Sequence, residues 1–349
     1  MPPLSIGIIG TGNIAKSHAE NLKRIDGVRI ATCYDILPAV ATAFAAKHEV
    51  AQVAGNLKEL LAQVDAICVC TPDKFHAAYA LAGLKAGKHV LCEKPMTVTL
   101  AEAKSLAKAG SAAAKKGVIG MVNFSYRRSA AAEKAMQIVA AGKHLGALRY
   151  VHSHYLQGWM RNVEVPTGGS LWRLQRACGG GVLSDLGCHI LDLTTAVAGE
   201  VVALRCAFNT CPKIGPKGKP YVKSGKAKMD ADDSAVIELR FANGAMGVVH
   251  TTRWAMGRSN HIRVEVAGTE GALCFDLDRS YEQLDTCTHA DRAWKTETLP
   301  VAPDIYQRWV GAIRSGKPAQ PDFARGAFVQ GLLDACRRSV ASGTWEKVR

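Results

Sequence analysis

A short apolar run leading straight into a glycine turn constrains the fold of this 349-residue chain more than any other feature. LSIGIIG, residues 4–10, is followed by GTGNIA and an amphipathic stretch that extends to about Ile25. In such a unit Gly10 permits the tight turn, Gly12 lets the backbone approach a pyrophosphate, and Ala15 allows close packing of the helix. The N-terminus of the helix attracts the phosphates. The pattern predicts a dinucleotide-binding turn.

The same alternation of strand and helix continues through the first 123 residues. Short apolar runs separated by helical segments recur at 28–34, 66–70, 89–92 and 118–122. A capping box from Thr99 to Glu102 opens one of the helices. Short buried strands that alternate with helices imply a parallel sheet covered on both faces. We therefore predict an α/β Rossmann domain over residues 1–123.

An acidic residue follows the second predicted strand. Asp35 lies twenty residues after Ala15, where a carboxylate accepts hydrogen bonds from the adenosine ribose and repels a 2′-phosphate. Ile36, Leu37 and Pro38 come next, so no basic residue follows directly to hold such a phosphate. The motif favours NAD over NADP. The alternative is a structural glycine turn with a surface aspartate.

The remaining residues, 124–349, show a different pattern, and a chain of this length is expected to form two domains. Alternating apolar and polar residues predict a strand at 149–157 and four strands in meander order, at 235–241, 245–254, 261–268 and 272–277. A closing helix is predicted at 329–340.

Composition excludes several classes of protein. The net charge of +14 is spread along the chain without interleaved aromatic residues, so we do not expect a nucleic-acid partner. Its one lysine cluster, at 213–228, is typical of a solvated loop over a polar or anionic ligand. No apolar run is long enough to span a membrane, and no signal peptide is expected. The eleven cysteines include no CxxC pair, which indicates reduced thiols in the cytoplasm.

A glutamate–lysine–proline sequence ends the predicted strand at 89–92. Because open α/β sheets bind ligands at the carboxyl ends of their strands, Lys94 is placed to polarise a hydroxyl or carbonyl group. The restricted conformation before Pro95 is typical of a rigid feature. The alternative is a surface ion pair between Glu93 and Lys94.

GGGVLSDLGCHILDL, residues 179–193, places Asp185, His189 and Asp192 on one face of a helix. Three interpretations fit: a metal site, a packed helix with a polar stripe, and the edge of an active site. A catalytic metal usually takes three protein ligands, and Asp192 would have to supply the third. Otherwise Asp192 supports the site from behind or lies on the helix surface.

GTGNIA, TPDKFH (71–76), AGKHVLCEKP (86–95) and the glycine–Asp–His stretch, in this order, resemble the Gfo/Idh/MocA oxidoreductases, the relatives of glucose–fructose oxidoreductase and inositol dehydrogenase. The resemblance covers essentially the whole chain. It implies a Rossmann domain followed, over 124–349, by an α+β domain on a large, mostly antiparallel, open-faced sheet. In the family this sheet often forms the oligomer interface, and no metal is needed.

The resemblance implies that Lys94, Asp185 and His189 are the catalytic groups. His189 can take or relay the proton of an alcohol, because imidazole exchanges protons near neutrality. Lys94 can stabilise the developing alkoxide, and Asp185 can orient the hydroxyl or the imidazole. The glycines at 179–181 would let the backbone approach the substrate ring.

The motif and the resemblance together predict the binding residues. Those for the cofactor are Gly10, Thr11, Gly12, Asn13, Ile14, Asp35, Thr71, Pro72, His76, Glu93, Lys94 and Asn123. Those for the substrate are Lys94, Arg127, Trp159, Trp172, Arg173, Asp185 and His189.

The predicted function is NAD-dependent hydride transfer at a ring hydroxyl of a cyclic polyol, sugar or glycoside. Within the family, the YLQGW and WR segments look most like glycoside and anhydrosugar dehydrogenases. Two alternatives are an NAD-retaining glycosidase that uses transient ring oxidation, and a regulator that binds dinucleotide and sugar without turnover. We expect a homodimer or homotetramer formed through the C-terminal sheet.

Overall fold

The computed structural model of the protein describes residues 3–142, 144–162, 172–213 and 228–348. The chain forms two compact units. The first comprises Met1–Ser125 and Pro303–Gln330, and the second comprises Tyr126–Ala302 and Gly331–Arg349. The division of the chain into functional domains at residue 123 stays a prediction. It has one boundary, whereas the chain passes between the compact units three times, after Ser125, Ala302 and Gln330.

The first unit is built on a six-stranded sheet in the order β3-β2-β1-β4-β5-β6. All of its strand pairs are parallel. The strands are β1 (Leu4–Ile9), β2 (Val28–Tyr34), β3 (Gln52–Val53), β4 (Ala66–Val69), β5 (His89–Cys92) and β6 (Gly120–Val122). The helices between them are α1 (Asn13–Leu22), α2 (Pro38–Lys47), α3 (Leu57–Ala62), α4 (His76–Lys85) and α5 (Leu100–Ala114). The predicted Rossmann sheet is confirmed.

Two details of the first unit follow from side-chain chemistry. The capping box before α5 is present, with Thr99 and Glu102 each bonded to the other's backbone N–H. Residues after Pro303 return to this unit because α8 (Ile305–Ser315) buries Tyr306 and Trp309 in its core. This return depends on long-range packing and has no local signal in the sequence.

The second unit is built on a nine-stranded, mostly antiparallel sheet in the order β14-β13-β12-β11-β7-β10-β9-β8-β15. The strands are β7 (Leu148–Leu156), β8 (Val201–Asn209), β9 (Ser234–Phe241), β10 (Met246–Thr252), β11 (His261–Gly268), β12 (Gly271–Asp276), β13 (Gln283–Thr288), β14 (Lys295–Thr298) and β15 (Glu346–Lys347). The helices are α6 (Ala130–Ala140), α7 (Cys188–Ala198) and part of α9 (Phe323–Ser342), which is longer than predicted. The predicted fold class is confirmed.

The predicted meander is wrong at one point. β10 and β11 are not neighbours, because β7 lies between them, parallel to β10 and antiparallel to β11. With a strand on each side, the backbone hydrogen-bonding groups of β7 are satisfied in the middle of the sheet. Alternation of apolar residues along a strand indicates which face is buried but not which strand lies beside it.

Among the described residues, no helix combines the length and the apolar character needed to cross a membrane.

Candidate active site

The glycine turn between β1 and α1 fits a pyrophosphate. Gly10 has φ +83°, and a Cβ on it would lie 2.9 Å from the carbonyl group of Cys70, so only glycine is accommodated. A Cβ on Gly12 would meet no atom of the described residues within 4 Å. The space beside the first turn of α1 is therefore open, and that turn carries no acidic residue. An anion there would meet the positive end of the helix.

Asp35 joins this turn to the end of β2. Its Oδ2 accepts hydrogen bonds from the backbone N–H of Thr11 at 2.8 Å and from the Thr11 hydroxyl at 3.0 Å. Its Oδ1 accepts one from the backbone N–H of Leu37 at 3.0 Å. Ile36 and Leu37 are exposed beside it. The carboxylate is thus fixed next to the turn with an apolar surface adjoining it.

Thr71, Pro72 and His76 follow β4. The imidazole of His76 is buried, with Nδ1 2.8 Å from the carbonyl oxygen of Pro95 and Nε2 2.7 Å from that of Thr71. Both ring nitrogens therefore face backbone carbonyl groups. The ring ties the end of β4 to the turn after β5, which leaves it poorly suited to contact a cofactor directly.

Lys94 is half-buried and follows β5, with a cis peptide bond to Pro95. Gly10, Thr71, Lys94 and Asn123 each follow a different strand of the same parallel sheet. Parallel strands have their carboxyl ends at one edge, so the structure places these four residues along a common edge, where open α/β sheets bind ligands.

Glu93 is not a surface residue, as the alternative interpretation of a surface ion pair would require. It is buried, and its Oε1 lies 2.7 Å from Nε2 of His18 on α1. Sequence reasoning missed His18. A signal was available, because His18 stands with Ala15, Ala19 and Leu22 on the buried stripe of α1, where a polar side chain needs a partner.

In the second unit, Asp185 is held by two arginines. It lies in a π-helical turn, Leu183–Gly187, that continues directly into α7; such turns occur often at functional sites. Its Oδ2 accepts a hydrogen bond from Arg253 at 3.0 Å and lies 3.5 Å from Nε of Arg173.

Arg253, which follows β10, was missed by the sequence analysis. It is fully buried and also donates to the carbonyl oxygens of Arg173 and Gly181, at 3.1 and 3.2 Å. Its guanidinium lies over the ring of Trp159 at 5.2 Å. A buried guanidinium is stable only where carboxylate and carbonyl acceptors satisfy it. Arg253 therefore fixes the position of Asp185.

Two of the glycines before Asp185, Gly180 and Gly181, pack closely against other parts of the chain. A Cβ on Gly180 would lie 2.4 Å from the carbonyl oxygen of Trp172, and one on Gly181 would lie 2.2 Å from Oδ1 of Asp232. Asp232 accepts a hydrogen bond from the backbone N–H of Leu183 at 2.8 Å, and burial raises the pKa of its carboxyl group. At Gly180 and Gly181 the space that a Cβ would occupy is thus filled by other chain segments. The approach of the glycines to a substrate ring stays a prediction.

His189 is buried in the first turn of α7. Its ring meets that of Tyr126 edge-on, with centroids 4.8 Å apart. The hydroxyls of Tyr126 and Tyr155 are 2.6 Å apart, and that of Tyr155 donates to Oδ1 of Asn260 at 2.7 Å. Burial raises the pKa of Tyr155 well above its usual range, so its hydroxyl keeps its proton. His189 therefore lies against a fixed network of hydroxyls.

Asp192 is a buried acid bound by an arginine and not a surface acid. Arg127 binds its carboxylate through two parallel hydrogen bonds, from Nε at 2.7 Å and Nη2 at 2.8 Å, and Asp192 is 1% exposed. Within the described ranges no group of three His, Cys, Asp or Glu side chains is arranged to hold a metal ion. The pair with Arg127 therefore holds α7, which carries Asp192, in position.

Three further predicted residues have defined surroundings. The guanidinium of Arg173 lies 4.7 Å from the ring of Trp172, and the indole N–H of Trp159 donates to Oε1 of Gln157 at 2.8 Å. Of the lysine-rich segment, 214–227 lies outside the described residues, while Lys213 is buried and paired with Asp233.

Comparison with known proteins agrees with this architecture. The family model for the oxidoreductase family with an NAD-binding Rossmann fold matches residues 4–124, and that for the GFO/IDH/MocA C-terminal domain matches 132–274. Levoglucosan dehydrogenase of Pseudarthrobacter phenanthrenivorans is 30% identical, over 82% of this chain and 80% of that protein. Myo-inositol 2-dehydrogenase of Thermotoga maritima is 28% identical, over 83% and 80%.

A solved structure of levoglucosan dehydrogenase in complex with NADH and levoglucosan superposes with a TM-score of 0.85, at 27% identity, covering 99% of each chain. These relatives are named dehydrogenases, so they give no support to the glycosidase and regulator alternatives. The chain belongs to the Gfo/Idh/MocA oxidoreductases, a family with an NAD-binding Rossmann fold.

Proposed function

We propose that the protein is an NAD-dependent dehydrogenase that oxidises or forms a secondary alcohol on the ring of a cyclic polyol, sugar or glycoside. The observation that carries the proposal is the common edge of the parallel sheet, where the glycine turn at 10–12 and the ammonium-bearing Lys94 both lie. The named activities of the levoglucosan and myo-inositol dehydrogenases support the substrate class. A screen of cyclic polyols and glycosides for NADH absorbance tests it.

The residues of the first unit fit a dinucleotide. We propose that Gly10, Gly12 and the first turn of α1, which includes Asn13 and Ile14, hold the pyrophosphate, and that Asp35 holds the adenosine ribose. Thr71, Pro72 and Asn123 border the cofactor further along the edge. NAD, when bound, supplies the hydride acceptor.

Cofactor preference should depend on the charge of Asp35. We expect turnover with NAD to exceed that with NADP at least tenfold, about 1.4 kcal/mol, because the carboxylate repels a 2′-phosphate. Asp35→Ser should lower the ratio of turnover with NAD to turnover with NADP, because it removes that charge. The measurement is kcat/KM for both cofactors in both proteins. Glu49→Ser, a substitution of an exposed acid on the same unit, is the control and should leave the ratio unchanged. Equal use of NADP by the unaltered protein contradicts the role of Asp35.

The proposed chemistry gives separate roles to three side chains in the oxidation of the alcohol. His189 takes the proton of the substrate hydroxyl, Lys94 donates a hydrogen bond that stabilises the alkoxide, and Asp185 orients the hydroxyl. The ion pair with Arg253 supports this role for Asp185, since it fixes the carboxylate before substrate arrives.

The predicted substrate residues take different parts in this proposal. Trp159, Trp172 and Arg173 offer aromatic faces and a guanidinium to a carbohydrate ring. Arg127 uses its Nε and Nη2 on Asp192, so we assign it to holding α7, and with it His189, rather than to direct substrate contact.

We also propose that the nine-stranded sheet assembles two or four copies of the chain. Its open face carries exposed apolar side chains on neighbouring strands, namely Tyr150, Val236, Met246 and Val248. Exposed apolar patches of this kind mark interaction surfaces.

All eleven cysteines are free thiols, which supports a reducing compartment such as the cytoplasm. The absence of a nucleic-acid partner stays a prediction.

Light scattering should therefore give a mass of two or four times 37.2 kDa. Met246→Asp should lower that mass, since it places a charge in the apolar face. Met256→Asp, at an exposed methionine in a loop, is the matched control and should leave the mass unchanged. A stable monomer of the unaltered protein at micromolar concentration contradicts the proposal.

A further inference from the structure

A buried acid–histidine pair in the first unit has no part in the chemistry proposed above. His18 on α1 is fully buried, and Glu93 is 5% exposed. Nε2 of His18 lies 2.7 Å from Oε1 of Glu93, and the side-chain N–H of Asn123 donates to the same oxygen. The carboxylate therefore connects α1 with the carboxyl ends of β5 and β6.

The other oxygen of Glu93 binds the chain next to it. Oε2 accepts a hydrogen bond from the backbone N–H of Lys94 at 3.1 Å. The same carboxylate that His18 holds thus also holds the main chain from which the Lys94 side chain extends. A shift of the carboxylate would move that main chain.

The orientation of His18 suits this task. Its Nδ1 has no hydrogen-bond partner among the described residues, and its ring packs edge-on against Tyr306 with centroids 5.1 Å apart. The carboxylate facing Nε2 keeps a proton on that nitrogen. His18 therefore acts as a fixed donor towards Glu93.

Glu93 keeps its charge in spite of its burial. Burial alone would raise the pKa of its carboxyl group, but the hydrogen bond and charge of His18, the charge of Lys94 and the hydrogen bond of Asn123 lower it to about 2. The carboxylate is consequently ionised at neutral pH. Lys94, the next residue in the chain, carries an ammonium group.

We infer that His18 and Glu93 are positioning residues for Lys94. His18 orients the Glu93 carboxylate, which in turn fixes the main chain of Lys94 and places a constant negative charge beside its ammonium group. This inference rests on the proposed function insofar as Lys94 is the group that stabilises the alkoxide. A purely structural pair would affect the stability of the first unit and leave the rate and the titration of Lys94 unchanged.

Kinetics of His18 variants test the positioning role. We expect His18→Leu to lower kcat about tenfold or more, because small displacements of a catalytic group are costly, with the Kd for NAD nearly unchanged. His18→Gln, whose amide N–H can still donate to Glu93, should recover most of the rate. His48→Leu removes a histidine that is likewise buried in the first unit and packs on Phe44; as the matched control it should retain kcat. Thermal unfolding of each variant establishes that it is folded.

A second measurement does not depend on turnover. Competitive acetylation of Lys94, followed by peptide mass spectrometry across pH, reports the midpoint at which its amine loses its proton. Glu93→Gln should shift this midpoint to lower pH by about half a unit or more, since it removes a neighbouring negative charge. Lys115, exposed after α5, is the internal reference and should not shift.

The outcomes separate the two proposals. An unchanged Lys94 midpoint in Glu93→Gln, or a folded His18→Leu enzyme with the kcat of the unaltered protein, overturns the positioning role. Failure of His18→Gln to exceed His18→Leu in rate also overturns it. If no alcohol supports NADH formation but the midpoint shifts as expected, the proposed function fails while the influence of Glu93 on Lys94 stands.

Discussion

Lys94→Ala is expected to lower kcat by about 10²- to 10⁴-fold, as general acid–base and electrostatic groups typically do. Without the ammonium group, the alkoxide that forms as the hydroxyl loses its proton has no positive donor from the end of β5. The fall should appear equally in kcat and kcat/KM for the alcohol, since the interaction lost is strongest in the transition state. Steady-state kinetics with a substrate found in the NADH screen measures it.

Lys115→Ala is the matched control for this prediction. Lys115 is exposed and follows α5, before β6 begins, so it belongs to the opposite edge of the parallel sheet. We expect it to retain full turnover. A Lys94→Ala enzyme that works within a few-fold of the unaltered protein contradicts the catalytic assignment of Lys94.

His189→Ala is expected to lower kcat by about 10²- to 10⁴-fold, because it removes the base proposed to accept the hydroxyl proton. Binding of NAD should change little, since His189 belongs to the second unit and contacts Tyr126 there. In the unaltered enzyme kcat/KM should rise with pH through neutrality as a base loses its proton. This rise should disappear in His189→Ala.

Two comparisons sharpen the test of His189. If both groups act on one oxygen in one step, as proposed, the losses from His189→Ala and Lys94→Ala should not add in the double variant. His289→Ala replaces an exposed histidine of the same unit and should behave as the unaltered protein. Retained turnover and an unaltered pH profile in His189→Ala contradict the catalytic role and assign the histidine to packing against Tyr126.

The sequence predicts the Rossmann sheet well because its signals are local. Five of its six strands are apolar runs closed by a turn or a helix start, and Gly10 and Thr99 mark such points directly. The sixth, β3, has only the exposed residues Gln52 and Val53 and is not predicted. Strand order then follows from the rules for parallel strands joined by helices. The antiparallel sheet has weaker local signals, and the place of β7 between β10 and β11 depends on pairing that no single strand encodes.

The residues of the candidate site likewise divide into those that local sequence motifs mark and those that depend on long-range contacts. Lys94, Asp185 and His189 belong to short motifs that can be read directly from the sequence. His18, Tyr126 and Arg253 do not, because their importance comes from contacts with residues distant in the chain. Burial is the missing information: a guanidinium or an imidazole in a core must have partners, but the sequence alone does not show that it is in the core.

The central claim is hydride transfer from a ring carbon, and one measurement tests it most directly. The protein is mixed with NAD and, one at a time, cyclic polyols, sugars and glycosides, and NADH absorbance is followed together with mass spectrometry of the product. We expect that a member of this panel yields NADH and a ring ketone two hydrogens lighter, in equal amounts, and that Lys94→Ala abolishes both. Release of an aglycone without net NADH, or binding of sugar and NAD without either product, would contradict it.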